Sequence, residues 1–185
     1  GASVNLPASR KPRRLQVMYT HAWDTEVDAD TRVSFEALLA RLRAEGVELV
    51  TRSEDRAYAA LEDAFYGPFI ERSVDISAYE MRWPYQQYLQ KHPELLEQRQ
   101  RDRLARAGGI TPEIYAERLA EKARMKEQAR QAMQGTDAIL TLSSSGPAPI
   151  GHSHTGSRAY LLFASFLQLP AFSLPLLQSD DMPVG

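Results

Sequence analysis

Asp137-Ala138-Ile139-Leu140-Thr141-Leu142-Ser143-Ser144-Ser145-Gly146-Pro147-Ala148-Pro149-Ile150-Gly151 is the stretch that decides the fold. The run from Ala138 to Leu142 reads as a buried strand, and the small-residue loop behind it, shaped by Pro147 and Pro149, ends it. A helix from about Thr155-Gly156-Ser157 to Gln168 follows. Next comes a second apolar run, Leu169-Pro170-Ala171-Phe172-Ser173-Leu174-Pro175, and the chain closes on Met182-Pro183-Val184-Gly185. Strand, loop, helix, strand is the repeating unit of a layered α/β fold. Both apolar runs are short and nearly uniform, which predicts strands inside a sheet covered on both faces.

The front of the chain has the same grammar. Leu15-Gln16-Val17-Met18-Tyr19 suits a strand, and Asp28 or Asp30 can cap a helix with Phe35, Leu38, Leu39 and Leu42 on one face. Gly46 supplies a left-handed stop before the strand Val47-Glu48-Leu49-Val50. A helix of that length between two strands implies a parallel crossover. Ahead of it, residues 1–13 read as a disordered tail, with Gly1-Ala2-Ser3 the kind of start an expression vector leaves. The basic run Arg10-Lys11-Pro12-Arg13-Arg14 has no interleaved aromatics and reads as a solvated linker.

Residues 55–135 form a helical, charge-rich insertion. Tyr58, Leu61, Phe65 and Tyr66 make an apolar stripe that Pro68 interrupts. Tyr79, Trp83, Tyr85 and Tyr88 either line a substrate entrance or pack helix against helix. His92-Pro93 is a boundary. Arg99, Arg101, Arg103 and Arg106 are interspersed with Glu97 and Asp102, as on a solvated face. Gly108-Gly109 closes that helix. Thr111-Pro112-Glu113 starts the next with Thr111 as cap, and Gly135 ends it. On this last helix Glu121/Arg124 and Glu127/Arg130 stand as exposed pairs.

At 185 residues the chain can bury roughly 70% of its unfolded surface in one domain. A hydrophobic share of 43%, a charged share of 25% and a net charge of -2 are ordinary globular values and argue against nonspecific nucleic-acid binding. The absence of cysteine excludes disulfides and thiolate metal sites. No apolar run approaches the ~20 residues of a membrane span, and a cytoplasmic location is expected.

Chemistry is sparse. Ser143-Ser144-Ser145-Gly146 follows a strand, but the flanks are not G-x-S-x-G, so these serines read as loop or substrate-contact residues. His152 and His154 stand two apart, and on an extended segment both can face one metal ion. No neighbouring acid cluster completes that site, and polar loop histidines are the other reading. Asp180-Asp181 reads as a turn. There is no phosphate loop and no dinucleotide fingerprint. By its own residues the chain carries no complete catalytic set, and no cofactor is expected.

The order of these segments resembles the amidase signature family from Arg14 onward. Leu15-Gln16-Val17, Trp23 and Val27-Asp28-Ala29-Asp30-Thr31-Arg32 are similar to the strand and helix that follow that family's catalytic core. Ile110-Thr111-Pro112-Glu113-Ile114-Tyr115 resembles the helix start ahead of the family's Asp-Ala-Ile-Leu-Thr strand, which Asp137–Thr141 matches. Leu169–Pro175 is similar to its Leu-Pro-Ala-Leu-Ser-Leu-Pro strand. The chain departs at Ser165 and Gln168, where Asn and Gly are common, and at Leu177, where glycine is usual.

The resemblance implies an α/β fold with a mostly helical insertion and a layered, mixed or parallel sheet, as a C-terminal portion of the amidase fold. It implies cleavage of a carboxamide C–N bond through an acyl-serine, with the serine, a second serine beside a cis peptide and a lysine all upstream of the residues present. Lys11, Lys91, Lys122 and Lys126 stand in no matching context. No catalytic residue carries over, and the chain alone is expected to be inactive. Ser145, Thr155, Gly156, Ser157 and Tyr85 are the expected substrate-wall residues. The partners expected are the missing N-terminal catalytic half, a small amide substrate and, for the isolated piece, a second copy of itself. Neither a membrane nor a nucleic acid is expected. The reading from another class is a free-standing α/β binding or scaffold module without catalysis.

Overall fold

A computed structural model describes residue 8 and residues 10–151 and 156–185. The chain divides into two compact units. The first comprises Gly1–Asp55, Met133–Tyr160 and Ser173–Gly185, and the second comprises Arg56–Ala132 and Leu161–Phe172.

The first unit is built on a three-stranded parallel sheet. Strand β1 (Arg14–Val17) lies between β2 (Glu48–Val50) and β3 (Ala138–Leu140). Leu15 stands opposite Leu49 in β2 and Ala138 in β3. Between β1 and β2 come a short helix α1 (Trp23–Glu26) and the crossover helix α2 (Ala29–Ala44). The Asp28 carboxylate accepts the Thr31 N–H at 2.9 Å and starts α2, while Gly46, at φ +79°, takes the left-handed turn that leads into β2. Phe35 and Leu39 are buried on the face of α2 that meets Leu15, Val17, Val47 and Leu49, so the helical spacing seen in sequence does place the core. Tyr19 and Trp23 close one end of it, edge-on at 4.7 Å and each beside Phe35.

A second, antiparallel pair, β4 (Leu177–Ser179) and β5 (Met182–Val184), is turned by Asp180 and Asp181, both with positive φ. The basic run before β1 meets acids of its own unit. Arg10 pairs with Asp137 at 2.7 Å and Lys11 with Glu45 at 2.9 Å, and the other Asp137 oxygen accepts the N–H groups of Arg13 and Arg14.

The second unit is helical: α3 (Arg56–Ala64), α4 (Ile70–Lys91), α5 (Gln98–Ala107), α6 (Pro112–Ala132) and the greater part of α7 (Ala159–Leu167), whose first two residues belong to the first unit. A five-residue π-type turn, Phe65–Phe69, joins α3 to α4 where Gly67 and Pro68 break the helical run. Phe65 there packs against Phe69 and Phe163. Glu121 does not pair with Arg124 as spacing predicts. It receives the Arg72 guanidinium from α4 instead, with Nε at 3.0 Å. Asp75 of α4 holds Arg106 of α5 at 2.7 Å and Arg118 of α6 at 3.1 Å, so those arginines serve helix packing.

Of the two C-terminal apolar runs, the first forms a strand of the parallel sheet as expected, but neither lies inside a sheet. β3 is an edge strand and ends at Leu140, and Leu169–Pro175 forms no strand. Phe172 is 90% exposed. Uniform apolarity signals a segment meant for burial, but it does not say that the covering surface belongs to the same stretch of chain.

Candidate functional site

The first unit contains an open hollow of about 840 Å³. Its floor and rim are Ser143–Pro149, Gly156 and Ser157, and it is completed by Glu26, Asp28, Ser173, Pro175 and the hairpin end Pro183–Gly185. Local physics explains the convergence. The chain leaves β3 through Thr141, whose hydroxyl donates to the Met18 carbonyl at 2.7 Å, so the loop begins beside β1. Ser143 N–H then donates to the Gly185 carbonyl at 2.7 Å, and the Asp28 N–H donates to the Ser145 carbonyl at 3.2 Å. The loop is thereby tied to the hairpin on one side and to the start of α2 on the other.

Two glycines permit the close approach. A Cβ at Gly146 would overlap the Asp28 Oδ2, and one at Gly185 would overlap the Ser173 hydroxyl and stand 2.9 Å from that of Ser143. Asp28 is the electrostatic anchor. Burial alone would raise its carboxyl, but hydrogen bonds from Thr31 and Ser179 outweigh that and hold it below the ordinary carboxylate value.

Of the residues expected at a substrate wall, Ser145, Gly156 and Ser157 come together on this hollow. The Ser157 hydroxyl also accepts the Ala159 N–H at 3.2 Å, which starts α7. Thr155 lies outside the described residues, as do His152 and His154. Tyr85 sits on α4 of the second unit, with its ring 6.3 Å from that of Tyr88. Sequence reading did not place Glu26, Ser173, Pro175 or the hairpin end at a site. The sequence presents Asp28 only as a helix cap, and that is the signal that leads to the hollow, because the capping carboxylate also ties down Ser179.

Chemically, the described lining offers serine hydroxyls, backbone groups and two carboxylates. Among these residues there is no imidazole or amine to act as a base for a serine. No group of three histidine or acidic side chains is placed to hold a metal ion among the described residues.

A solved crystal structure of an amidase superposes on this chain with a TM-score of 0.73, covering 96% of the chain at 22% identity. The fold is amidase-like. The chain spans only 41% of the length of that amidase. No family model matches the chain, and no curated protein matches its sequence. Within the amidase-like fold the loop after β3, the start of α2 and the terminal hairpin form one continuous wall around the hollow. Among the described residues, no helix is long and apolar enough to cross a membrane.

Proposed function

We propose that this chain is the C-terminal, non-catalytic portion of an amidase-signature hydrolase that cleaves a carboxamide C–N bond through an acyl-serine. The observation that carries the reading is the superposition of nearly the whole chain on less than half of an amidase. It agrees with the order of the Asp137–Thr141 and Leu169–Pro175 motifs, two weak matches whose spacing makes them stronger together. The chain's part is to supply sheet and one wall of the substrate pocket. The small residues of Ser143–Gly146 let backbone groups approach an amide closely, and the backbone N–H of Asp28, donating to the Ser145 carbonyl, keeps that loop in place. The nucleophile, its base and the oxyanion donors belong to polypeptide upstream. Because removing a catalytic triad costs about 10⁶ in kcat, this chain hydrolyses no amide at a measurable rate.

A fluorophosphonate probe tests the assignment of roles. Intact-mass measurement is expected to show the 20.8 kDa chain unmodified after prolonged exposure. A stoichiometric adduct on Ser143, Ser144 or Ser145 would place a reactive serine here and end the proposal. The wall is tested in the natural full-length protein. There Thr155→Ala and Ser157→Ala are expected to lower kcat/KM for the amide, and unchanged values in both remove the wall assignment.

A further inference from the structure

The hollow of the first unit is one-sided in charge. Glu26 and Asp28 line it, and among the described residues no lysine, arginine or histidine does. The imbalance begins in the sequence, where Asp24, Glu26, Asp28 and Asp30 stand with no cation between them. The hairpin tied to Asp28 through Ser179 adds Asp180 and Asp181 at its turn. Two arginines adjoin these segments. Arg32 donates to the carbonyls of Asp24 and Val27 at 3.0 and 3.1 Å, with its guanidinium over the Trp23 ring, and Arg158 is exposed beside Ser157. Neither lines the hollow.

Asp28 sharpens the imbalance. Its Oδ1 accepts from Thr31 N–H and Ser179 Oγ, whereas Oδ2 is buried and has no hydrogen-bond partner among the described residues. Oδ2 occupies the place where a side chain on Gly146 would begin, and Gly146 lines the hollow. The Thr31 hydroxyl lies close behind, fully buried and also without a well-formed hydrogen bond. A buried carboxylate oxygen that lacks a donor leaves its charge uncompensated. A cleft lined by one sign of charge between low-dielectric walls concentrates ligands of the opposite sign.

We propose that the hollow takes amides bearing a positively charged ammonium group, which Glu26 and Asp28 attract while the loop Ser143–Gly146 meets the amide. That the ligand is an amide rests on the amidase reading above, whereas the preference for positive charge rests on the wall itself. The rival is a cation from upstream polypeptide that neutralises both carboxylates. In that case the two acids do not discriminate between ligands of different charge.

The probes are a matched pair, betaine amide and its neutral isostere tert-butylacetamide, which differ by nitrogen for carbon. Each is titrated into the nitrogen-15-labelled 185-residue chain at about pH 8, where free imidazole is neutral, and the amide signals of Ser145, Gly146 and Gly185 are followed. Betaine amide is expected to bind at least about fivefold more tightly than the isostere, with an advantage that shrinks as salt is raised. Glu26→Gln is expected to cut the ratio of the two dissociation constants at least about twofold, and Asp28→Asn to cut it likewise. If Asp28→Asn does not fold, Glu26→Gln alone carries the comparison.

Equal affinities, tighter binding of the isostere, a ratio that Glu26→Gln leaves unchanged, or no shift at the three residues with either probe overturns the proposal. In the natural full-length protein betaine amide should keep the same advantage, as substrate or as competitor of another amide. Equal potency there assigns the acids to an upstream cation, which overturns the proposal and leaves the amidase reading standing. A full-length protein that hydrolyses no amide removes that reading, and the charge preference then stands or falls by the titration.

Discussion

Asp28 joins three pieces of the first unit through one residue: its Oδ1 accepts from Thr31 N–H and Ser179 Oγ, each at 2.9 Å, and its own N–H reaches Ser145. Gly146 makes this possible by leaving room for Oδ2, so Gly146→Ala should disturb the cap and cost about 1–2 kcal/mol in urea unfolding, the usual worth of an N-cap. The same carboxylate predicts an acid dependence. Its folded value lies below the ordinary 3.8, so the folded state holds the proton less tightly than the unfolded chain. The stabilisation is therefore complete above the ordinary value and is lost as pH falls through the folded one. Asp28→Asn should flatten that part of the stability–pH curve while leaving the neutral region less stable overall. An unchanged acid limb would show that Asp28 does not bear the linkage. At the hairpin, Asp181 holds φ +57° with a side chain attached, and Asp181→Gly should raise stability by about 0.5–1 kcal/mol even with its 3.3 Å contact from Gln178 removed.

Between elements, the second unit depends on a junction that spacing alone does not reveal. Asp75, buried on α4, receives Arg106 from α5 and Arg118 from α6. Removing one partner of such a junction leaves guanidinium groups poorly paired, and partial exposure of Arg106 reduces the cost below that of a fully buried pair. Asp75→Ala should cost roughly 2–3 kcal/mol by thermal unfolding, and a loss no larger than that of an exposed pair such as Glu127→Ala would show that apolar contacts hold these helices. The sequence marked Arg106 as part of a solvated face because periodicity reports which residues share a face, not what faces them across a helix pair. Local rules served better. Gly46, Thr111-Pro112 and His92-Pro93 mark helix ends, since caps, prolines and left-handed glycines act within a few residues. The Leu169–Pro175 run failed as a strand for the opposite reason: its burial depends on a surface that local pattern does not contain.

At the scale of the molecule, the candidate site was half legible. The Ser143–Ser157 loop announced itself by composition, whereas Glu26, Ser173 and Gly185 reach the same hollow only through tertiary contacts far apart in sequence. What stabilises the first unit as a whole also sets its alkaline limit. Burial pushes Tyr160 up to about 12, and burial together with the Glu36 hydrogen bond and charge does the same for Tyr19. An unfolded tyrosine ionises near the ordinary 10.0, so between 10 and 12 the unfolded chain releases protons that the folded unit retains. Stability from both groups is thus fully present below pH 10 and is lost as pH rises through 12. Absorbance at 295 nm should show a late ionisation step coinciding with loss of the circular dichroism signal. Tyr19→Phe with Tyr160→Phe should move the alkaline unfolding midpoint upward, because neither ring then has a proton to lose. A midpoint that stays where it was would mean that alkaline unfolding begins elsewhere, with Tyr115 of the second unit, raised chiefly by its bond to Glu80, the next group to substitute.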